Sequence, residues 1–218
     1  MEADIADILI RSRMTLLDIL EERGYDTSPY RNISPEQIII LAEGHPRALD
    51  IFVKKREGSN APCDRAVVVY QLQDRIRLKL GTFARDIYQV SVDGAEHSKI
   101  NPTDDLIVIL NEPYNDVFDK TALQMWQTQK ARMTFFHIKQ IVIHMGKHAL
   151  VPPHRKMTPE EGRIEMGRLH ITQKNQLPLI KHSDIQSRIL GLVPGDMVEI
   201  SRPSPTSGIN RVLRICVA

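Results

Sequence analysis

The sequence has 218 residues, of which 42% are hydrophobic and 26% are charged, and its formal net charge is +2. These values are ordinary for a folded chain of one or two domains, and they exclude a disordered or fibrous protein. Cys63 and Cys216 are too few for a disulfide framework and lack zinc-site spacing, so a reducing compartment is expected. No apolar run is long enough to span a membrane, so no membrane partner is expected.

Charge is distributed unevenly along the chain. Residues 1–143 carry 18 Lys and Arg against 21 Asp and Glu, whereas residues 144–218 carry 11 against 6. The net charges are therefore −3 and +5. A basic region suits nucleic acid or an acidic protein neighbour, but its Lys and Arg residues are scattered, which favours an ordinary solvated surface.

The chain opens with helical patterns. Apolar side chains recur at helical spacing over residues 5–20, and the pattern ends at Gly24, which predicts an amphipathic helix. Ser34 followed by Pro35 is typical of a helix start, and a second short helix is predicted up to Gly44.

Strand patterns follow. Runs rich in β-branched residues predict buried strands at residues 48–53, 66–72 and 106–110. Basic side chains alternate with Ile and Leu over residues 75–85, and Val90, Val92 and Asp93-Gly94 follow, which predicts a further strand pair over 75–94. A helix is predicted over 116–132 and a strand over 135–144. Helices interleaved with strands indicate a three-layer α/β domain.

Proline and glycine become frequent after His144, which predicts a boundary between domains 1–143 and 144–218. The predicted elements of the second domain are a helix starting at Thr158, a helix over 184–190, strands over 197–201 and 211–217, and a loop over 202–208. Together they indicate a small α+β domain.

Motifs for catalysis and metal binding are weak. Asp50 and Lys54 on a predicted strand suggest a metal-dependent nuclease, but such a site needs an acid two residues before its lysine, and no lysine here has one. His144, His148 and His154 lack a nearby Cys or acid to complete a zinc site, and they favour a surface or structural role. No cofactor, metal or catalytic residue is expected.

The second domain carries an ordered series of motifs: 147–154 (KHALVPPH), 176–180 (QLPLI), Ser183-Asp184, Arg188, Gly191-Leu192, 195–200 (GDMVEI), Arg202-Pro203-Ser204 and Gly208. In order and spacing, the series resembles the small two-domain subunit shared by eukaryotic RNA polymerases I, II and III, whose C-terminal domain is similar to a small subunit of the archaeal polymerase. The first domain matches more loosely, at Arg23-Gly24-Tyr25, 49–53 and 106–110.

The resemblance implies a non-catalytic polymerase subunit. Its C-terminal domain would dock on the largest subunit among the other core subunits, and its N-terminal domain would form a jaw near the downstream DNA duplex. The N-terminal fold would resemble restriction endonucleases without their active site. Ile185, Val193-Pro194 and Pro205 depart from the family pattern. The expected location is the nucleus, or a virion or cytoplasmic viral factory if the source is a large DNA virus.

Docking and DNA contact each have candidate residues. Rigid, proline-bearing segments lose little entropy on binding, and the docking candidates are Leu150, Val151, Pro152, Arg202, Pro203 and Ser204. The alternative is that these residues only shape their own domain. The candidates for sequence-independent phosphate contact are Lys54, Lys55 and Arg56, with a solvated turn as the alternative.

Two other classes of function remain open at this point. A nuclease on the N-terminal fold would show metal-dependent cleavage by the purified protein. A free transcription regulator that borrows the assembly domain would associate with polymerase in sub-stoichiometric, salt-labile fashion.

Overall fold

Two four-stranded sheets organise the chain, one in each of two units, Met1–Ile143 and His144–Ala218. The computed structural model describes residues 3–45, 47–72, 75–88, 100–206 and 208–218. Among these residues, no helix has both the length and the apolar character needed to cross a bilayer.

The first unit is mixed α/β. Its helices are α1 (Ala3–Glu22), α2 (Ser28–Arg31), α3 (Pro35–Glu43), α4 (Leu80–Asp86) and α5 (Asp116–Gln129), with short 3-10 helices at Arg77–Lys79 and Ile138–Ile141. Its strands are β1 (Ile51–Lys54), β2 (Arg65–Gln71), β3 (Asp105–Leu110) and β4 (Arg132–His137).

Local signals set the bounds of the first helices. α1 ends in a Schellman motif, in which Tyr25 N–H donates to the Leu20 carbonyl at 3.0 Å and Gly24 N–H donates to that of Glu21 at 2.9 Å. Gly24 has φ of +97°, which a side chain would disfavour. Ser34 and Gln37 form a capping box at the start of α3. Both helices confirm the sequence predictions; α2 was not predicted.

The first sheet has the order β1-β2-β3-β4, with β1 antiparallel to β2 and the other pairs parallel. All six residues of β3 are buried, as a central parallel strand requires. One face of the sheet packs against α4 and α5 in a cluster that includes Val108, Phe118 and Phe135. The other face meets α1, where the buried Arg13 guanidinium lies 5.9 Å from the Tyr70 ring centroid.

The predicted strand pair over 75–94 is wrong for the residues that the structure describes, and residues 89–94 lie outside them. A 3-10 turn and α4 occupy this stretch. The buried residues Ile76, Leu80, Ala84 and Ile87 recur at helical spacing, whereas Leu78, which produced the alternation, is 91% exposed.

The strand predicted over 135–144 differs at both ends. β4 begins at Arg132 and ends at His137, where the His137 ring accepts a hydrogen bond from Lys139 N–H at 3.1 Å. The following 3-10 turn buries Ile138 and Ile141, which sequence periodicity had assigned to the strand.

The second unit is a smaller α+β structure. Its elements are β5 (His154–Lys156), α6 (Pro159–Arg168), β6 (Leu179–Lys181), α7 (Ile185–Ile189), β7 (Met197–Ser204) and β8 (Gly208–Val217), with 3-10 turns at Met145–Lys147 and Lys174–Gln176. Thr158 and Glu161 form a capping box at α6, and Asp184 caps α7, as their sequences predict.

The second sheet has the order β5-β7-β8-β6, and only β6 and β8 run parallel. One face carries an apolar cluster around Met197 and Leu213, and the other a cluster around Val198 and Leu192. The loop predicted over 202–208 is partly wrong, because residues 202–204 continue β7 and pair with β8 as far as Gly208.

Candidate docking surface

The first docking segment lies just before β5. Leu150 is 87% exposed, while Val151 and Pro152 are half-buried. Val151 N–H donates to the His148 carbonyl at 2.9 Å, and the His154 ring nitrogen lies 2.6 Å from the Pro152 carbonyl oxygen. The segment is therefore held in a defined shape that presents Leu150 outward.

The second docking segment lies on the distal part of β7. Arg202 and Pro203 are exposed and Ser204 is half-buried. In the hairpin register Arg202 lies opposite Asn210, and Pro203 lies opposite Ile209. These side chains are carried by a β-ladder, which fixes their positions more firmly than the predicted loop would.

The two segments meet at one edge of β7. Ser201 N–H donates to the Pro153 carbonyl at 3.0 Å, and His154 pairs with Ile200 directly beside it. We call residues 150–153 with 201–204 the proline edge. A contact between segments about 50 positions apart therefore brings the two docking segments together at this edge.

A charged network supports the base of this edge. The Arg155 guanidinium donates to Glu161 at 2.8 Å and to Glu199 at 2.9 Å, and thereby ties β5 to α6 and β7. Hydrogen bonds from the Thr158 backbone N–H and from Arg155 lower the pKa of the Glu161 carboxyl. The hydrogen bond between Arg155 and Glu161 in turn raises the pKa of Arg155. Both groups therefore stay charged around neutral pH.

An open groove of about 540 Å³ lies elsewhere in the second unit. Its floor is apolar, with Met157, Met166 and Met197, and its rim carries Arg163 and Lys174. Nothing in the sequence pattern pointed to this groove.

The candidate DNA contacts lie at the end of β1, where Lys54 is the last strand residue, and directly after it. The side chains of Lys54, Lys55 and Arg56 are exposed, but Arg56 also donates to the Glu21 carbonyl at 3.2 Å, so part of its charge is engaged near α1. Lys55 N–H bonds to the Asp64 carbonyl, which makes the segment a tied turn.

A second basic turn was missed by sequence reasoning because its residues were assigned to a strand. Arg75, Arg77 and Lys79 are exposed, and the backbone N–H groups of Ile76 and Arg77 both donate to the Glu112 carboxylate, at 2.9 and 3.1 Å. This carboxylate fixes the turn beside the end of β3. We call residues 75–79 the basic turn.

Of the two residues suggestive of a nuclease, Asp50 has a structural role. The buried Asp50 carboxylate accepts hydrogen bonds from Arg47 at 2.7 Å and from Tyr70 N–H at 3.2 Å. Burial raises the pKa of Asp50, and the contact with Arg47 opposes that shift. Lys54 is exposed at the end of β1, the strand that begins directly after Asp50. Asp50 thus braces the sheet.

The three histidines do not form a metal centre in the structure. His144 is buried, the His148 ring accepts a hydrogen bond from Leu150 N–H at 3.2 Å, and His154 contacts Pro152. Across the described ranges, no group of three or more His, Cys, Asp or Glu side chains is arranged to hold a metal ion.

Comparisons with known proteins cover both units. Residues 143–216 match the family described as RNA polymerase Rpb5, C-terminal domain. The chain is 25% identical to the Dictyostelium discoideum protein named DNA-directed RNA polymerases I, II, and III subunit rpabc1 over 209 residues, which cover 96% of this chain and 97% of that protein.

Archaeal relatives match the second unit more strongly. Identity to DNA-directed RNA polymerase subunit Rpo5 of Pyrococcus abyssi is 45% over 71 residues, which cover 33% of this chain and 85% of the archaeal protein. The Pyrococcus horikoshii protein of the same name is 44% identical over the same length. The motifs that carry the proline edge lie within the family match. The chain therefore belongs to the Rpb5 family of RNA polymerase subunits.

Proposed function

We propose that the chain is a non-catalytic subunit of a multisubunit DNA-directed RNA polymerase. The observation that carries the proposal is the match over 96% of the chain to a subunit shared by RNA polymerases I, II and III. A borrowed assembly domain would match over the second unit alone. The proposal assigns the chain to the nucleus, where the enzymes named in that match transcribe.

The second unit is the assembly domain in this proposal, and the proline edge docks on the largest subunit. Exposed Leu150 supplies an apolar anchor, and the ladder that holds Arg202 and Pro203 limits the entropy lost on binding. A preformed edge of this kind suits a permanent contact.

The first unit is a jaw beside the downstream DNA duplex in this proposal. An enzyme that transcribes any sequence gains nothing from reading bases, so the contact would be made by Lys and Arg to phosphates. The candidates remain Lys54, Lys55 and Arg56. The engagement of Asp50 by Arg47 and Tyr70 argues against a nuclease on this unit.

Subunit stoichiometry tests the proposal. The tagged chain is purified from its native source at high salt, and the copies of each co-eluting polypeptide are counted. We expect one copy of the chain per largest polymerase subunit. Elution of the chain alone, or salt-labile sub-stoichiometric association, would contradict a core subunit and support the enzyme or regulator classes.

Charge reversal tests the jaw. Substitution of Lys54, Lys55 and Arg56 by Glu should weaken DNA binding by the assembled polymerase and make its salt dependence shallower, by about 0.9 in the log–log slope for each phosphate that is no longer neutralised. A comparison variant reverses Arg75, Arg77 and Lys79 of the basic turn, which changes the net charge equally; a shallower slope in this variant alone would assign the phosphate contacts to the basic turn instead. An unchanged slope for the first variant removes these residues from the DNA path.

A further inference from the structure

The β7–β8 hairpin extends beyond its neighbouring strands. β5 pairs only with residues 198–200 of β7, and β6 pairs only with residues 215–217 of β8. The hairpin register continues to the pair Ser204 and Gly208. The distal ladder is therefore a two-stranded ribbon whose outer backbone edges lie outside the four-stranded part of the sheet.

Hydrogen bonds at the ends of the ribbon define which backbone groups point outward. On β8, Ile215 N–H donates away from β7, to the Pro178 carbonyl at 2.9 Å. Because direction alternates along a strand, Ile209, Arg211 and Leu213 also direct their N–H and C=O groups away from β7. Among the described residues, no backbone group pairs with these three positions on that side.

The two edges of the ribbon differ in protection. On the β7 side, the outward N–H of Ser201 already donates to the Pro153 carbonyl, and Pro203 has no N–H. The β8 edge has no proline over residues 208–217, and Ile209 on it is 68% exposed. Edge strands without such protection accept added strands readily, so the asymmetry marks the β8 edge as the receptive one.

Charge indicates the kind of strand that would be accepted. Arg202, Arg211 and Arg214 belong to the hairpin, and its one acid, Glu199, is 14% exposed and bound by Arg155 at 2.9 Å. The Arg211 side chain lies on the same face as Ile209; it contacts the Glu199 carboxylate at 3.7 Å but is 68% exposed, so a further carboxylate can reach it from outside. An extended segment with acidic and apolar residues in alternation complements this edge.

We propose that residues 209–213 of β8 are a strand-addition site for an extended acidic segment of a partner polypeptide. The added strand would pair with the outward N–H and C=O groups of Ile209, Arg211 and Leu213, over about 17 Å of edge. Its acidic side chains would contact Arg211, and an apolar side chain would cover Ile209. The inference rests on the proposed function, because the partner is sought among the polymerase subunits.

Hydrogen exchange in the assembled polymerase tests the site. Exchange of the Ile209, Arg211 and Leu213 amides is compared between the isolated full chain and the chain in purified polymerase. We expect these three amides to exchange at least about tenfold more slowly in the polymerase, because each gains a hydrogen-bond acceptor. Val198 and Ile200, already within the sheet, provide the internal reference.

Ile209→Pro and Ile209→Ala form a matched pair of variants. Both replace the branched isoleucine side chain by a smaller one, but only proline removes the outward N–H, which makes no bond within the hairpin. We expect Ile209→Pro to reduce incorporation about tenfold beyond Ile209→Ala, the upper range for one hydrogen bond. Unchanged protection of Val198 and Ile200 verifies that the hairpin is folded.

Each outcome decides the matter. A chain that does not co-purify with polymerase overturns the proposed function and the inference together. A chain that co-purifies with edge amides exchanging as in the isolated protein overturns the inference alone. Equal loss of incorporation in both Ile209 variants also overturns strand addition, because it assigns the contact to the side chain. Edge protection with a selective proline defect supports the site.

Discussion

The two units differ in how deeply their strands and ion pairs are buried. In the first unit, β3 lies between two parallel neighbours with all six residues buried, and the Arg23–Asp105 ion pair at its start joins side chains that are each 1% exposed. In the second unit, the β7–β8 hairpin leaves the core half-way along its length, and Arg155 on the neighbouring β5, which pairs with Glu161 and Glu199, is 54% exposed.

This contrast distinguishes buried ion pairs, which contribute to the stability of the fold, from exposed ion pairs, which contribute little to it. A buried charge that loses its partner keeps its desolvation cost, whereas water replaces the partner of an exposed charge. The first unit is therefore expected to be sensitive to single changes at its buried Arg23–Asp105 pair. The exposed Arg155–Glu161 pair of the second unit should tolerate such changes, because water can replace either partner.

Asp105→Ala is the largest test of the contrast. The substitution leaves Arg23 buried without its carboxylate and also removes an acceptor of the Tyr25 hydroxyl, so we expect a loss of about 3–5 kcal/mol in the free energy of unfolding. Denaturant unfolding of the full chain measures it. Asp7→Ala, which breaks the exposed pair with Arg11, should cost below about 1 kcal/mol. Equal costs would contradict the contrast.

Two valines on one face of the hairpin test where the second core ends. Val198 is fully buried and Val212 is half-exposed. Val198→Ala should lower the free energy of unfolding by about 1.5–3 kcal/mol, and Val212→Ala by less than about 1 kcal/mol. Thermal unfolding of both variants measures the difference. A similar loss at Val212 would extend the core along the ribbon.

The pH dependence of the stability of Glu161→Gln tests whether the Glu161 carboxylate contributes to the exposed network around Arg155. Hydrogen bonds from Thr158 N–H and Arg155 lower the pKa of the folded-state carboxyl below its ordinary value of 4.5. Its stabilisation is therefore present above pH 4.5 and is lost as the pH falls through the folded-state pKa. The wild type should be more stable than Glu161→Gln at pH 7, and the gap should close in acid. A gap that does not vary with pH would contradict this role.

Thiol labelling tests the cores without changing stability. Cys216 is 1% exposed, and burial raises the pKa of its thiol to about 12, whereas Cys63 is partly exposed. A thiol reagent at pH 8 should modify one cysteine in the native chain and two in denaturant. Rapid labelling of Cys216 in the native state would show that the β8 core opens.

Elements with strong local signals were predictable from the sequence. The α1 helix and its Gly24 end, the Ser34 cap and the β-branched strands β2 and β3 follow from short-range patterns. The segment from Ile76 to Ile87 did not, because its basic residues alternate with apolar ones over the same stretch that carries helical spacing. The exposure of Leu78 shows that the alternation was not a buried face.

The candidate docking surface was predictable only in part. Its residues came from the family motifs, but the bond between Ser201 and Pro153 that joins the two segments is a long-range contact, which no local pattern encodes. Pro203 led to the prediction of a loop, whereas the structure has it within β7. Its side of β7 faces away from β8, so a missing N–H costs the ladder no hydrogen bond, and the strand continues through it.

The contact between α1 and the turn Ile138–Ile141 joins the beginning and end of the first unit. The Thr15 hydroxyl donates to the Val142 carbonyl at 3.5 Å, across 127 positions of sequence. During synthesis, α1 can contact the sheet before the turn is made, but it cannot complete its packing until the turn emerges behind β4. The unit is therefore completed by its last turn, and a nascent chain stopped before that turn would leave part of the apolar face of α1 uncovered.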